Sequence, residues 1–138
     1  MANKDLELYQ EEQKKIKAQI EKKHKKTVKE LYDEREKRTK DVTELRMPDR
    51  VPLSINADPA NYTKIHRSAA YYDPMAWKRA VREVTVALDP DLANAGLPMS
   101  GAAMSALGVT NRKWPGGPLG EDYEYQVEEI EFLHDDEY

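Results

Sequence analysis

The chain has 138 residues, 39% hydrophobic and 35% charged, with a mean hydropathy of -0.88 and a net charge of -4. That apolar supply supports one marginal core, and no apolar run approaches the roughly 18 residues of a membrane span. Cysteine is absent, which excludes disulfides and thiolate metal sites within the chain, and the Met-Ala-Asn-Lys-Asp start lacks a hydrophobic signal region, so the expected compartment is the cytoplasm.

All eight prolines and six glycines lie after Met47. Residues 1–46 therefore read as a long charged helical arm, because nothing in them forces a helix to break. Asn3 or Asp5 can cap its start. Leu6, Tyr9, Ile16, Ile20, Val28, Leu31, Val42 and Leu45 recur at steps compatible with three or four residues and form a narrow amphipathic stripe. Glu11 and Lys15, Glu21 and Lys25, and Glu36 and Lys40 are i,i+4 pairs in the favourable order, worth about 0.2–0.5 kcal/mol each.

Unbroken to Arg46, the arm would be about 65 Å long, more than a small domain covers, so part of it is expected to reach another molecule. Gln13, His24 and Arg35 interrupt the stripe and argue against a strict coiled coil. Lys22, Lys23, Lys25, Lys26 and Lys29 form a basic cluster, flanked by Glu21 and Glu30, that reads as a solvated face. His24 has no second histidine at helical spacing and is not expected to bind a metal.

The arm carries 14 Lys/Arg against 11 Asp/Glu, and the remainder 8 against 15. After Lys113 nine acidic side chains and no Lys or Arg follow, so neither nucleic acid nor a membrane is the expected partner.

Pro48 stops the arm. Val51 to Asn56 alternates like a short strand, although Pro52 cannot donate a ladder bond. Asp73-Pro74 pairs an N-cap with proline at the first helical position, and Trp77, Ala80, Val81, Val84 and Leu88 follow on one face, predicting a helix over 74–88. Asp89-Pro90 ends it; Asp89, Asp91 and Asn94 lack the ligand spacing of a calcium loop.

A shorter helix is expected over 100–107, with Gly108 available for its C-terminal turn. Residues 111–120 read as loop. Tyr123, Tyr125 and Val127 alternate, and Ile130 and Phe132 follow one step out of register, as in a bulged extended segment or a loop clamped by aromatics. The acidic run from Glu128 to Glu137 reads as solvated. The pattern is the beginning of an α/β fold with too few strands to cover its own sheet.

Met47-Pro48-Asp49-Arg50-Val51-Pro52-Leu53 resembles the segment leading into the first barrel strand of the uroporphyrinogen decarboxylase-like family. Trp114-Pro115-Gly116, Leu119, Tyr125-Gln126, Glu129, Glu131 and Asp136-Glu137-Tyr138 resemble a run in that family's divergent, methyltransferase-related branch. The resemblance covers residues 30–138 and implies an α/β fold: a long N-terminal helix over 1–46, followed over 47–138 by the first β/α units of an incomplete (β/α)8 (TIM) barrel. Since such a barrel takes roughly 200 residues or more, it also implies an N-terminal fragment or split subunit, not catalytic alone. Its partner would be a complementary polypeptide completing the barrel, or a homo-oligomer.

Where the decarboxylases carry an arginine motif that holds substrate carboxylates, this chain reads Ile55-Asn56-Ala57-Asp58-Pro59, which removes the charge-assisted partners for a tetrapyrrole. A corrinoid or zinc would belong to the complete assembly, with no ligands from this chain. Barrel sites lie past the C-terminal ends of strands, so Asn56 and Asp58 are the substrate-facing candidates. Trp114, beside Pro115, is a third, as a loop aromatic able to lie against a ligand. Asp58-Pro59 also suits a turn, and His66 and Arg67 are expected at the surface or in packing. The alternative is a non-enzymatic helical adaptor protein.

Overall fold

A computed structural model describes residues 2–93 and 99–129, with side chains from Leu6 onward. The chain is mixed α/β and mostly helical: α1 Ala2–His24, α2 Val28–Thr43, β1 Ser54–Ile55, a 3-10 turn Pro59–Asn61, α3 Ala69–Tyr72, α4 Pro74–Leu88, β2 Leu92–Ala93, α5 Gly101–Ala106, β3 Arg112–Lys113 and β4 Gln126–Val127. It divides into two units, Met1–Ile55 with Asp89–Ala93, and Asn56–Leu88 with Asn94–Tyr138.

In the first unit the arm is two helices, not one rod. Lys25 sits at φ 54, a left-handed conformation that stops α1. Thr27 then restarts the chain with a capping box: its Oγ1 accepts from Glu30 N at 3.2 Å while Thr27 N donates to Glu30 Oε2 at 2.7 Å. Val28 N donates to Glu21 Oε1 at 3.2 Å. Two orphan donors of α2 are thus satisfied locally, and this outweighs the propensity for one continuous helix.

α2 ends in a Schellman turn. Leu45 N donates to Val42 O at 3.1 Å and Arg46 N to Asp41 O at 2.6 Å, with Leu45 at φ 57. The expected strand over 51–56 is confined to Ser54 and Ile55. It pairs in parallel with β2, Ser54 opposite Leu92 and Ile55 opposite Ala93. Leu53 O accepts from both Asp91 N and Leu92 N, so the ladder begins just before β1. Pro52 explains why it extends no further.

In the second unit α4 forms over the residues expected. Asp73 Oδ1 caps it by accepting from Ala76 N at 2.9 Å, and Ala80 and Val84 are its buried positions. α5 is capped by Ser100 Oγ, which accepts from Ala103 N at 3.2 Å. It ends in the same motif as α2, but with Gly108 at φ 73 in the left-handed place. The stretch expected to be loop contains β3, which pairs antiparallel with β4: Arg112 opposite Val127, Lys113 opposite Gln126. Ile130 and Phe132 lie outside the described residues.

Candidate functional site

The second unit holds the most connected polar group that includes a sequence-predicted site residue. Asp58 caps the 3-10 turn, its Oδ1 accepting from Ala60 N at 2.9 Å, while its Oδ2 accepts from Arg67 Nε at 2.7 Å. Arg67 continues the network: Nη2 donates to Asn61 Oδ1 at 3.1 Å and Nη1 to the Asp122 carbonyl at 2.8 Å. His66 Nδ1 lies 2.9 Å from Asp122 Oδ2, and its Nε2 lies 3.4 Å from Glu121. Ser68 N donates to Glu121 O at 2.9 Å. Residues 66–68 and 121–122 are therefore fastened to each other by side chains and backbone together.

The electrostatics follow from these contacts. The hydrogen bond and charge of Asp122, then Glu121, raise the His66 imidazole above its ordinary value. The His66 bond draws the Asp122 carboxyl below its own. Asp58 raises Arg67 further, so its guanidinium stays charged. Every branch of that guanidinium is engaged, which makes it a scaffold for the turn. Asp58 uses two of its roughly four acceptor positions and retains capacity for a ligand's donor.

Beside this network lies an aromatic cluster. Trp114 is 2% exposed; its ring centroid is 5.3 Å from Tyr71 and 5.7 Å from Tyr125, and Tyr71 and Tyr125 are 6.4 Å apart. Burial, followed by the charges of Glu124, Tyr125 and Asp58, raises the Tyr71 phenol; that links the cluster electrostatically to Asp58. The Trp114 indole N–H is buried and has no hydrogen-bond partner among the described residues. Gly116 has φ 78, and a Cβ there would come within 2.6 Å of Ser68 Cβ. The backbone turns this tightly beside Trp114 only because residue 116 is glycine.

The three predicted site residues are therefore placed differently. Asn56 is exposed directly after β1, Asp58 is half-buried in a turn and an ion pair, and Trp114 is buried against tyrosines. A shallow cleft of about 370 Å³ nearby is lined by Lys64, His66, Ser68, Tyr72, Asp73 and Glu121 among others, and by none of the three. Asp122, the partner that His66 and Arg67 share, lies more than fifty positions away in sequence, where no local pattern points to it.

Comparison with protein families, curated proteins and solved structures finds no match. The described residues contain no group of three His, Cys, Asp or Glu side chains placed to hold a metal ion. No described helix is long and apolar enough to cross a membrane.

The first unit carries a second charged cluster. The Asp91 side chain is fully buried and takes Arg38 Nη1 at 2.5 Å, Arg50 Nη1 and Nη2 at 2.6 and 2.8 Å, and Leu53 N at 2.8 Å. Burial opposes its charge, but the Leu53 amide and the two arginines outweigh burial and hold the carboxyl below its usual range. Arg38 also grips Asp49 with two bonds of 2.7 Å, which draws that carboxyl down to about 2.

Asp89 binds Arg35 at 2.6 Å, Lys23 at 3.0 Å and His24 Nε2 at 2.9 Å. His24, with no metal partner expected, thus lies against a carboxylate. These acids fasten the arm to the strand pair, and the order Asp89-Pro90-Asp91 places them for that task.

Proposed function

We propose that this chain carries the opening β/α unit of a uroporphyrinogen decarboxylase-like (β/α)8 barrel, of the corrinoid-linked methyl-transfer branch, and is not catalytic alone. The parallel pairing of β1 with β2 carries this reading. Parallel strands require a crossover connection, and here that connection contains a well-formed helix, α4. Two strands of two residues cannot sustain a parallel sheet, which is normally covered on both faces. Among the described residues no third strand joins this pair, and Leu53 and Leu92 remain exposed.

In this reading the remaining strands come from a complementary polypeptide. That polypeptide would also provide the ligands for a corrinoid or zinc. Asn56 lies just past the C-terminal end of β1, where barrel sites are built, and would border the shared pocket with Asp58. Trp114 would hold the loop that follows, through its contacts with Tyr71 and Tyr125.

Hydrogen exchange tests this. In the isolated chain the amides of Ser54, Ile55, Leu92 and Ala93 should exchange rapidly; in a complex with the complementary polypeptide, isolated from native material and weighed intact, they should slow at least a hundredfold. Strong protection of all four in the isolated chain would remove the basis for the proposal.

The adaptor reading retains one observation in its favour. Leu6 is 53% exposed on α1, although it belongs to the helix's apolar stripe. A helix whose apolar stripe is exposed at its start gains stability there from a partner.

A further inference from the structure

Along α2 runs a largely apolar groove of about 560 Å³. From α2 it is lined by Val28, Leu31, Tyr32, Arg35, Glu36, Thr39, Lys40 and Thr43, the i, i+3, i+4 face over the helix's whole length. Ile20 and Leu92 close it. A groove cut along one helix face at helical spacing has the shape of a second helix. Tyr32, on its wall, is 63% exposed, so the described residues leave it open.

We infer that this groove takes the first half of α1 from a second copy of the chain, the two copies exchanging arms reciprocally and antiparallel. Three observations identify that occupant. First, the same unit contains a helix whose apolar stripe, Leu6, Tyr9, Ile16 and Ile20, is half-buried from Tyr9 onward and exposed at its start, where Leu6 stands 53% exposed. The chain therefore carries both the groove and a helix to fill it.

Second, the charge order is complementary. Over residues 6–17 α1 runs from acidic (Glu7, Glu11, Glu12) to basic (Lys14, Lys15, Lys17), while α2 is mainly acidic over 28–36 (Glu30, Asp33, Glu34 and Glu36 against Lys29 and Arg35) and mainly basic over 37–43 (Lys37, Arg38 and Lys40 against Asp41). An antiparallel pair sets acid against base along its length, whereas a parallel pair sets like against like. Antiparallel packing also opposes the helix dipoles favourably.

Third, the exchange closes on itself. Each copy offers one helix and one groove, so a two-fold dimer satisfies both and leaves no open end. The inference concerns only the arm and is independent of the barrel reading.

Sedimentation velocity of the full chain tests it. A reversible dimer is expected at micromolar concentrations. Leu6→Glu and Tyr32→Glu, both at exposed positions, should each weaken it at least tenfold with far-UV circular dichroism unchanged. Because the chain has no cysteine, single-cysteine variants report the contact directly: Leu6→Cys mixed with Thr43→Cys should form the mixed disulfide, and Leu6→Cys mixed with Tyr32→Cys should not. A monomer at every concentration would overturn the inference. So would a dimer indifferent to both glutamates, cross-linking of Leu6 only to Leu6 or to Tyr32, or a groove covered solely when a complementary polypeptide is added.

Discussion

Leu53 donates its amide to Asp91 Oδ2 at 2.8 Å, so the residue that opens the β1 ladder is held by the residue that introduces β2. Arg38 and Arg50 complete the shell around that carboxylate. Removing one member of a buried pair leaves the other charges uncompensated. Asp91→Ala should therefore destabilise the first unit by about 3–5 kcal/mol, measured by urea unfolding. The folded-state pKa of Asp91 lies below its ordinary 3.8, so its contribution is complete above that value and is lost as the pH falls through the depressed one.

Leu45 occupies in the α2 turn the left-handed position that Gly108 occupies after α5. A side chain there is strained, and Leu45 is 96% exposed, so it gains almost nothing from packing. Leu45→Gly should stabilise α2 by up to about 1 kcal/mol, read as a higher thermal midpoint. Gly108→Leu should do the reverse.

Trp114 contributes a large buried ring and a donor unmatched among the described residues. Trp114→Ala should cost about 3–5 kcal/mol through loss of packing against Tyr71 and Tyr125. Trp114→Phe retains a ring and removes an N–H whose burial unpaired costs about 1–3 kcal/mol, so chemical denaturation should find it far closer to the natural protein. Equal losses in the two variants would contradict this account.

The clamp between residues 66–68 and 121–122 should depend on pH at both ends. The His66 pKa is raised above 6.5, so its contribution is full below 6.5 and fades as the pH rises through the raised value. The Asp122 pKa is lowered below 3.8, so its share is present above 3.8 and fades in stronger acid. The protection factor of the Ser68 amide, bonded to Glu121 O, should be highest between those limits. His66→Gln should remove the fall at the alkaline side.

Local chemistry made much of this legible. The bounds of α4 follow from Asp73-Pro74 and the apolar face over 77–88, and the end of α5 follows from Gly108. The break at Lys25–Thr27 had a signal too, Thr27 with Glu30 three residues on, which the smooth distribution of charge concealed. The strand β2 had none: two residues beside Asp91 carry no alternation, and their pairing depends on contacts some forty residues away. The same holds for the site, where Asp58 stands out by sequence but the bonds from His66 and Arg67 to Asp122 appear only after folding.

One consequence concerns synthesis. Arg38 precedes Asp91 by 53 positions, and a ribosome adds about 5–20 residues per second, so the guanidinium waits roughly 3–10 seconds for the carboxylate that buries it. During that interval Asp49, 11 positions on, can already hold Arg38, so the arm's tie to the strand pair is the last of its bonds to form.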